Sequence, residues 1–91
     1  MTLPSKVRVG ARWYSVEVVE AMLDKCYGRV YYDKRMIHVH KRKRTGMEDT
    51  FWHETVHAIL HDMEHPLYRY ERFVTAFADR LSKAIRSVKF T

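Results

Sequence analysis

The sequence has a single cysteine, Cys26, among 91 residues. It therefore excludes an internal disulfide and any zinc site built from several cysteines, the deaminase type included. No apolar run approaches the roughly 18 residues that a bilayer-spanning helix needs, and no secretory h-region follows Met1. Repeats, low-complexity segments and interdomain linkers are also absent. We therefore expect one small domain, residues 1–91, of a soluble, cytoplasmic protein with no membrane partner.

Positive charge is in excess, with 17 Lys and Arg against 11 Asp and Glu and a formal net charge of +6. Such a balance favours polyanionic partners, nucleic acid above all, through a sequence-independent electrostatic attraction. The sharpest basic cluster, called here the basic run, consists of Lys41, Arg42, Lys43 and Arg44. It predicts a possible nucleic-acid contact, and the alternative is a solvated loop.

The first half of the chain has the alternation of β-strands. Two hairpins are predicted, one from residues 7–9 and 13–18 and one from residues 29–32 and 36–40. The stretch 19–26 is ambiguous between a short helical turn and a loop. We expect an antiparallel sheet of three to four strands within residues 6–42 or so.

The second half has helical periodicity. Thr45 with Glu48 three residues later fits a capping box, so a first helix is predicted over about residues 46–64, ending before Pro66. Its predicted apolar side consists of Met47, Phe51, Trp52, Val56, Ile59, Leu60 and Met63. With a sheet packed on two such helices, the predicted class is α+β.

A second helix is predicted over about residues 67–89, with a core-facing stripe at alternating steps of four and three. The stripe consists of Leu67, Glu71, Val74, Ala78, Leu81, Ile85 and Val88. Glu71 is its one charged member. A carboxylate on a buried stripe is costly unless it pairs with a cation or binds a metal.

His53, Glu54 and His57 form an H-E-x-x-H element inside the first predicted helix. Positions i and i+4 share one helix face, so the two imidazoles can bind a single Zn²⁺. Glu54, beside them, could take a proton from a zinc-bound water. The motif predicts a catalytic zinc site that needs a third protein ligand.

Three residues compete for that third position. His61 is eight residues beyond His53, about 12 Å along a helix, which is too far for both to bind one ion. His65 directly precedes Pro66 and lies beyond the helix. Glu71 remains as the preferred ligand, and its alternative role is an ion pair with an Arg or Lys.

This pattern resembles the small zincin-type metallopeptidases encoded by phages and prophages, which are similar to SprT-like and ImmA/IrrE-like zincins. The resemblance covers roughly residues 28–81. It rests on the segment 53–61, on Glu71-Arg72-Phe73-Val74, and on the strand before the first helix. It implies a minimal zincin-like fold in a host cytoplasm, with His53, His57 and Glu71 as zinc ligands and Glu54 as the general base of peptide-bond hydrolysis.

Three further features belong to the predicted site: the residue four positions after Glu71, the strand that binds the substrate and the donor to the oxyanion. In zincins with a glutamate ligand, an Asp four residues later orients a ligating His, and here that position is Thr75. The strand 36–40 is predicted to bind an extended substrate along its edge. The candidates for the donor that stabilises the oxyanion are Tyr68, Tyr70, Arg72 and His61.

The competing hypotheses are a non-enzymatic zinc-binding module, which binds nucleic acid or a host protein, and zinc-free helix packing.

Overall fold

A four-stranded sheet followed by two C-terminal helices makes up the fold in the computed structural model, which describes residues 3–22 and 26–89. The elements in chain order are β1 Lys6–Val9, β2 Arg12–Val19, β3 Gly28–Tyr31, β4 Met36–His40, α1 Arg44–Asp62, a 3₁₀ turn Pro66–Arg69 and α2 Glu71–Ser87. The α+β class and both hairpins are confirmed. Of the ambiguous stretch 19–26, Val19 ends β2, and residues 23–25 lie outside the described residues.

The sheet is mixed, so the prediction of an antiparallel sheet is wrong in one respect. The strand order is β1-β2-β4-β3, and β2 pairs with β4 in parallel. The second hairpin docks through β4 because β4 carries Ile37 and Val39, both fully buried. Of the two strands of this hairpin, only β4 has fully buried apolar side chains, so it takes the central place beside β2, and β3 is left as a terminal strand.

The first helix begins two residues earlier than predicted. Lys43 is its N-cap and makes no side-chain capping bond, so the capping box predicted from Thr45 and Glu48 is wrong. Thr45 lies inside the first turn of α1. The helix ends at Asp62, two residues before the predicted end, and Glu64 adopts a left-handed φ of 55° just beyond it.

The core consists of two clusters, and α1 contributes to both. Phe51 and Ala58 pack with the buried side chains of the sheet. Val56 and Leu60 face the other way and pack against α2. The middle of α1 is therefore enclosed between the sheet and α2, and this fixes the orientation of the histidine-bearing face.

The predicted second helix is divided in two. A 3₁₀ turn occupies Pro66–Arg69, and α2 begins only at Glu71 and ends at Ser87. Its buried residues are Val74, Ala78 and Ser82, whereas Ile85 of the predicted stripe is 40% exposed. No helix in the described part of the chain is both long and apolar enough to cross a membrane.

Candidate metal centre

The two histidines of the H-E-x-x-H element occupy one face of α1, as their spacing predicts. His57 is 6% exposed, and His53 is half-buried one turn earlier. Their rings meet edge to face with centroids 4.9 Å apart. Both Nε2 atoms point toward the start of α2.

Glu71 completes the group from α2. Its Oε1 lies 2.9 Å from Nε2 of His53, and its Oε2 lies 2.9 Å from Nε2 of His57. The ligand atoms offered by the three residues all lie within 4.8 Å of one another. Two imidazole nitrogens and one carboxylate are a donor set that zinc takes in catalytic sites. His53, His57 and Glu71, called here the metal group, could therefore hold a metal ion.

Glu71 reaches this position from an exposed place. Its side chain is 68% exposed, so the prediction that it lies on a buried stripe is wrong. It is the first residue of α2, where the helix N-terminus favours a negative charge. The carboxylate extends from the surface over the two histidines. Because it is exposed, the cost of burying a charge gives no reason to expect a metal here.

The backbone orients His57. Its Nδ1 lies 2.6 Å from the carbonyl oxygen of Tyr68. A carbonyl only accepts, so Nδ1 carries the hydrogen and the lone pair of the neutral ring is on Nε2, toward the metal position. The 3₁₀ turn holds that carbonyl, with Pro66 at its start and Nδ1 of His65 accepting from the backbone N–H of Leu67. This backbone contact orients the His57 ring without an Asp at position 75.

His53 is held in the form that binds a metal. Its pKa is lowered, chiefly because burial disfavours the charged imidazolium. The neighbouring His57 lowers it further, while the charge of Glu71 and the hydrogen bond to it act in the opposite direction. A metal binds the neutral imidazole, so a lowered pKa keeps His53 available to a cation at neutral pH.

Glu54 is buried beside the ligands. Its pKa is raised to about 8, chiefly by burial and also by the negative charge of Glu71, while the charge of Arg29 acts in the opposite direction. A cation held by the three ligands would favour its carboxylate form. A carboxyl that changes protonation near neutral pH is suited to general acid–base catalysis.

Gly28 brings β3 close to this carboxylate. A Cβ at position 28 would lie 2.5 Å from Cγ2 of Thr50 and 3.0 Å from Cγ of Glu54. Any side chain there would push the strand away from α1 or displace Glu54. Glycine at the start of β3 thus allows the strand to pass directly over the face of α1 that carries Thr50 and Glu54.

The other histidines of the second half lie outside the metal group. His61 stacks on Tyr32 with ring centroids 4.0 Å apart, and its ring lies 5.1 Å from that of Tyr68. His65 caps the 3₁₀ turn and stacks on Phe73. The exclusion of both as ligands agrees with the group that the described residues form.

Two adjoining pockets form a cleft around the metal group. One, of about 430 Å³, is called the Tyr27 pocket, and the other, of about 460 Å³, is called the Tyr32 pocket. Both are lined by Cys26, Gly28, Glu54 and Glu71. Tyr27, Arg42, Asp49, Thr50 and His53 complete the first, and Arg29, Val30, Tyr32, His57 and Arg69 complete the second.

The strand beside the cleft differs from the one predicted. Strand β4 lies between β2 and β3, so it has no edge to offer a substrate. The terminal strand β3 borders both pockets through Gly28. The substrate edge predicted for residues 36–40 is therefore wrong, and β3 is the strand placed to take that role.

The basic run does not present one continuous surface. Lys41 pairs with Glu20 at 3.5 Å, and Arg44 pairs with Glu48 at 3.8 Å. Arg42 turns away from both and lines the Tyr27 pocket. A nucleic-acid partner for Lys41, Arg42, Lys43 and Arg44 stays a prediction, which a salt-dependent DNA-binding assay can test.

Three features of the site were not foreseen from the sequence. The Tyr68 carbonyl is a backbone group, so no residue type marks it. The position of Tyr32 against His61 depends on how the β3–β4 turn packs on the end of α1. Arg42 looks like its neighbours in a run of cations, and only the fold separates it from them.

Comparison with known proteins identifies no relative. No family model, no curated protein and no solved structure matches the chain. The resemblance to zincins stays a prediction that depends on the motifs quoted for it.

Proposed function

We propose that the protein is a zinc-dependent, peptidase-like hydrolase of the small zincin type. One observation carries the proposal. Two histidines of an H-E-x-x-H helix and a glutamate from the next helix converge within 4.8 Å, and the intervening Glu54 is buried beside them. Structural zinc sites use four protein ligands, whereas three leave room for a substrate, as catalysis requires.

The chemistry divides between the metal and the chain. Zinc held by His53, His57 and Glu71 would supply a Lewis acid that polarises the scissile carbonyl and makes a water more acidic. Glu54 accepts a proton from the attacking water, whose oxygen bonds to the carbonyl carbon. When the C–N bond breaks, Glu54 passes that proton to the departing nitrogen, so the reaction consumes one water and yields a carboxylic acid and an amine.

The oxyanion of the addition step needs a further donor. Of the candidates named from the sequence, Tyr68, Tyr70, Arg72 and His61, none lines either pocket of the cleft. Tyr32 and Arg69 do line the Tyr32 pocket, together with His57. Burial raises the pKa of Tyr32 to about 12, so its hydroxyl stays protonated and able to donate. We assign the donor to Tyr32 or Arg69.

An extended peptide is the substrate form that suits the cleft. The terminal strand β3 borders both pockets, and a peptide that runs along it would pass the metal group and Glu54. Main-chain pairing with a strand edge is independent of side chains. Selection among peptides must therefore come from residues that line the pockets.

The test compares zinc-loaded wild type with Glu54→Gln on fluorescein-labelled casein and a quenched peptide library. We expect cleavage by the wild type, loss of cleavage after chelation and recovery when zinc is returned. Glu54→Gln should keep its zinc and lose at least about 100-fold in rate, the usual contribution of a general base.

Glu20→Gln is the matched control, because Glu20 is 85% exposed and lies outside the cleft. It should cleave at the wild-type rate. Cleavage by Glu54→Gln at that same rate would refute the general-base role. A zinc-loaded wild type that cleaves neither substrate would refute the peptidase proposal.

A further inference from the structure

Arg42 occupies a place in the cleft that the reaction described above does not use. It lines the Tyr27 pocket together with His53, Glu54 and Glu71. Its guanidinium lies over the ring of Tyr27, with Cζ 3.8 Å from the ring centroid. A stacked guanidinium has its planar fork held in one orientation, which prepares it to bind a planar anion.

The hydrogen bonds of Arg42 leave part of its fork without an acceptor. Nη2 donates to the carbonyl of Gly46 at 3.1 Å and to Oγ1 of Thr50 at 3.0 Å. Nε is buried and has no partner among the described residues. Both hydrogens of Nη2 are therefore used, and Nη1, which makes no hydrogen bond among the described residues, is the group that a ligand in the pocket can reach. An acceptor there would gain a charge-assisted hydrogen bond.

Two of the three acidic residues that line the same pocket, Asp49 and Glu71, are engaged elsewhere, and the third is the buried Glu54. Asp49 accepts from Arg86 at 3.1 Å and from Ser82 at 3.3 Å. Glu71 contacts the two histidines. Within the described residues, none of these carboxylates forms an ion pair with Arg42, unlike the pairs that Lys41 and Arg44 make.

We infer that Arg42 is a specificity-determining residue that binds a carboxylate of the substrate in the Tyr27 pocket. The inference rests on the proposed function and names its substrate class. The cleft selects peptides that carry an acidic side chain, or a free C-terminal carboxylate, on the Tyr27 side of the metal group. A carboxylate complements the charge of the guanidinium, and its hydrogen bond from Nη1 is charge-assisted at both ends, which the bond to a neutral amide is not.

Gly46 sets the position of the fork. A Cβ at residue 46 would collide with Nη1 and with Cζ of Arg42, the latter at 2.6 Å. Gly46→Ala therefore moves the guanidinium while it keeps the charge. The same change favours the helical state of α1, since Ala is a better helix former than Gly. The variant therefore shows the effect of moving the guanidinium without a loss of fold stability.

The experiment measures peptide binding without turnover, on zinc-loaded Glu54→Gln. Fluorescein-labelled Ala-Gly octapeptides, with their labels at the N-terminus, are titrated by fluorescence anisotropy. One pair carries a single Asp or Asn, scanned along an amidated peptide, and the other pair has no acidic side chain and a free or amidated C-terminus. The pair with the larger difference identifies the source of the carboxylate.

We expect the preferred carboxylate peptide to bind about 10-fold or more tightly than its amide match, as for a hydrogen bond to a charged group. Adding Arg42→Gln should reduce this preference to the part that the zinc itself supplies. Adding Gly46→Ala should reduce it without lowering the melting temperature. Adding Arg44→Gln, the matched control, should leave it unchanged because Arg44 pairs with Glu48 outside the cleft.

A carboxylate preference that is equal with and without Arg42→Gln would overturn the inference. So would the absence of any preference, or of any binding at millimolar peptide. If Arg42→Gln fails to fold, Gly46→Ala decides, since an unchanged preference in that variant contradicts the role of the fork. Arg42-dependent binding without hydrolysis by the wild type would refute the peptidase and keep the site, whereas hydrolysis without the preference would do the reverse.

Discussion

The two helices carry the metal group from very different surroundings. In α1, nine residues are buried, and they include Glu54, Thr55 and His57. In α2 the buried residues are three, Val74, Ala78 and Ser82. The first helix is enclosed by the sheet and by α2, whereas the second covers it with one narrow face.

Because of this difference, a residue of the metal group can contribute to metal binding alone or to both metal binding and the stability of the fold. His57 is buried and is bonded to the backbone of the 3₁₀ turn, so it belongs to the core as well as to the site. Glu71 projects from the exposed start of α2 and contacts only the two histidines in the described structure. The site therefore combines a buried histidine, which packs as part of the fold, with an exposed glutamate, which few contacts hold in place.

The largest expected effects come from His57→Ala and Glu71→Ala. Both should weaken zinc binding by about 100-fold or more, because each removes a ligand. In metal-free protein, His57→Ala should lower the free energy of unfolding by about 1–3 kcal/mol, since it leaves the Tyr68 carbonyl unpaired. Glu71→Ala should lower it by less than about 1 kcal/mol, because its contacts are exposed.

Elemental analysis and urea unfolding of chelator-treated samples check this pair. His38→Ala is the control for histidine removal and should keep its zinc, because His38 pairs with Glu17 away from the metal group. If Glu71→Ala were as destabilising as His57→Ala, the contrast between the two helices would be wrong.

An effect of a few kcal/mol is expected from pH, through buried Glu54. Its pKa is raised from 4.5 to about 8 in the folded protein, so the folded state keeps a proton that the unfolded chain releases above pH 4.5. The free energy of unfolding should therefore fall as pH rises from 4.5 toward 8. Glu54→Gln has no such proton and should give a flatter curve.

Urea unfolding of the two chelator-treated proteins between pH 4.5 and 8 measures this difference. The lowered pKa of His53 acts in the opposite direction near its ordinary value of 6.5. It acts in both proteins and largely cancels in the comparison. Parallel curves would mean that Glu54 is not a buried carboxyl with a raised pKa.

A smaller effect is expected at the contact between β3 and α1. Gly28→Ala places a methyl group against Thr50 and Glu54 and should cost about 1–3 kcal/mol, the usual range for overpacking. Gly46→Ala is the matched control, because the atoms that a Cβ would meet there belong to the end of the Arg42 side chain and not to the backbone. That variant should lose no stability, since the better helix propensity of Ala offsets the contacts of Arg42 that are displaced. Equal melting temperatures for the two variants would show that β3 does not press on α1.

Local signals predicted the elements whose partners are near in sequence. Both hairpins, the helical nature of α1 and the shared face of His53 and His57 follow from alternation and from the spacing of four. The grouping of His53, His57 and Glu71 follows only in part from the sequence. Distance along a helix separates His61 from His53, whereas the predicted burial of Glu71 does not occur.

Features that depend on long-range packing could not be predicted from the sequence. The parallel pairing of β2 with β4 depends on which strand of the second hairpin gains more by burial. The 3₁₀ turn after Pro66 interrupts a periodicity that continues through it in the sequence. The departure of Arg42 from the basic run depends on Tyr27, which β-sheet formation brings beside it.

Zinc located in a crystal soaked with the metal tests the ligand set most directly. An anomalous difference map at the zinc absorption edge should give one strong peak per chain. We predict that this peak lies about 2.0–2.2 Å from Nε2 of His53, from Nε2 of His57 and from a carboxylate oxygen of Glu71. A peak on His61 or His65, or a fully loaded crystal with no peak near His57, would contradict the metal centre described here.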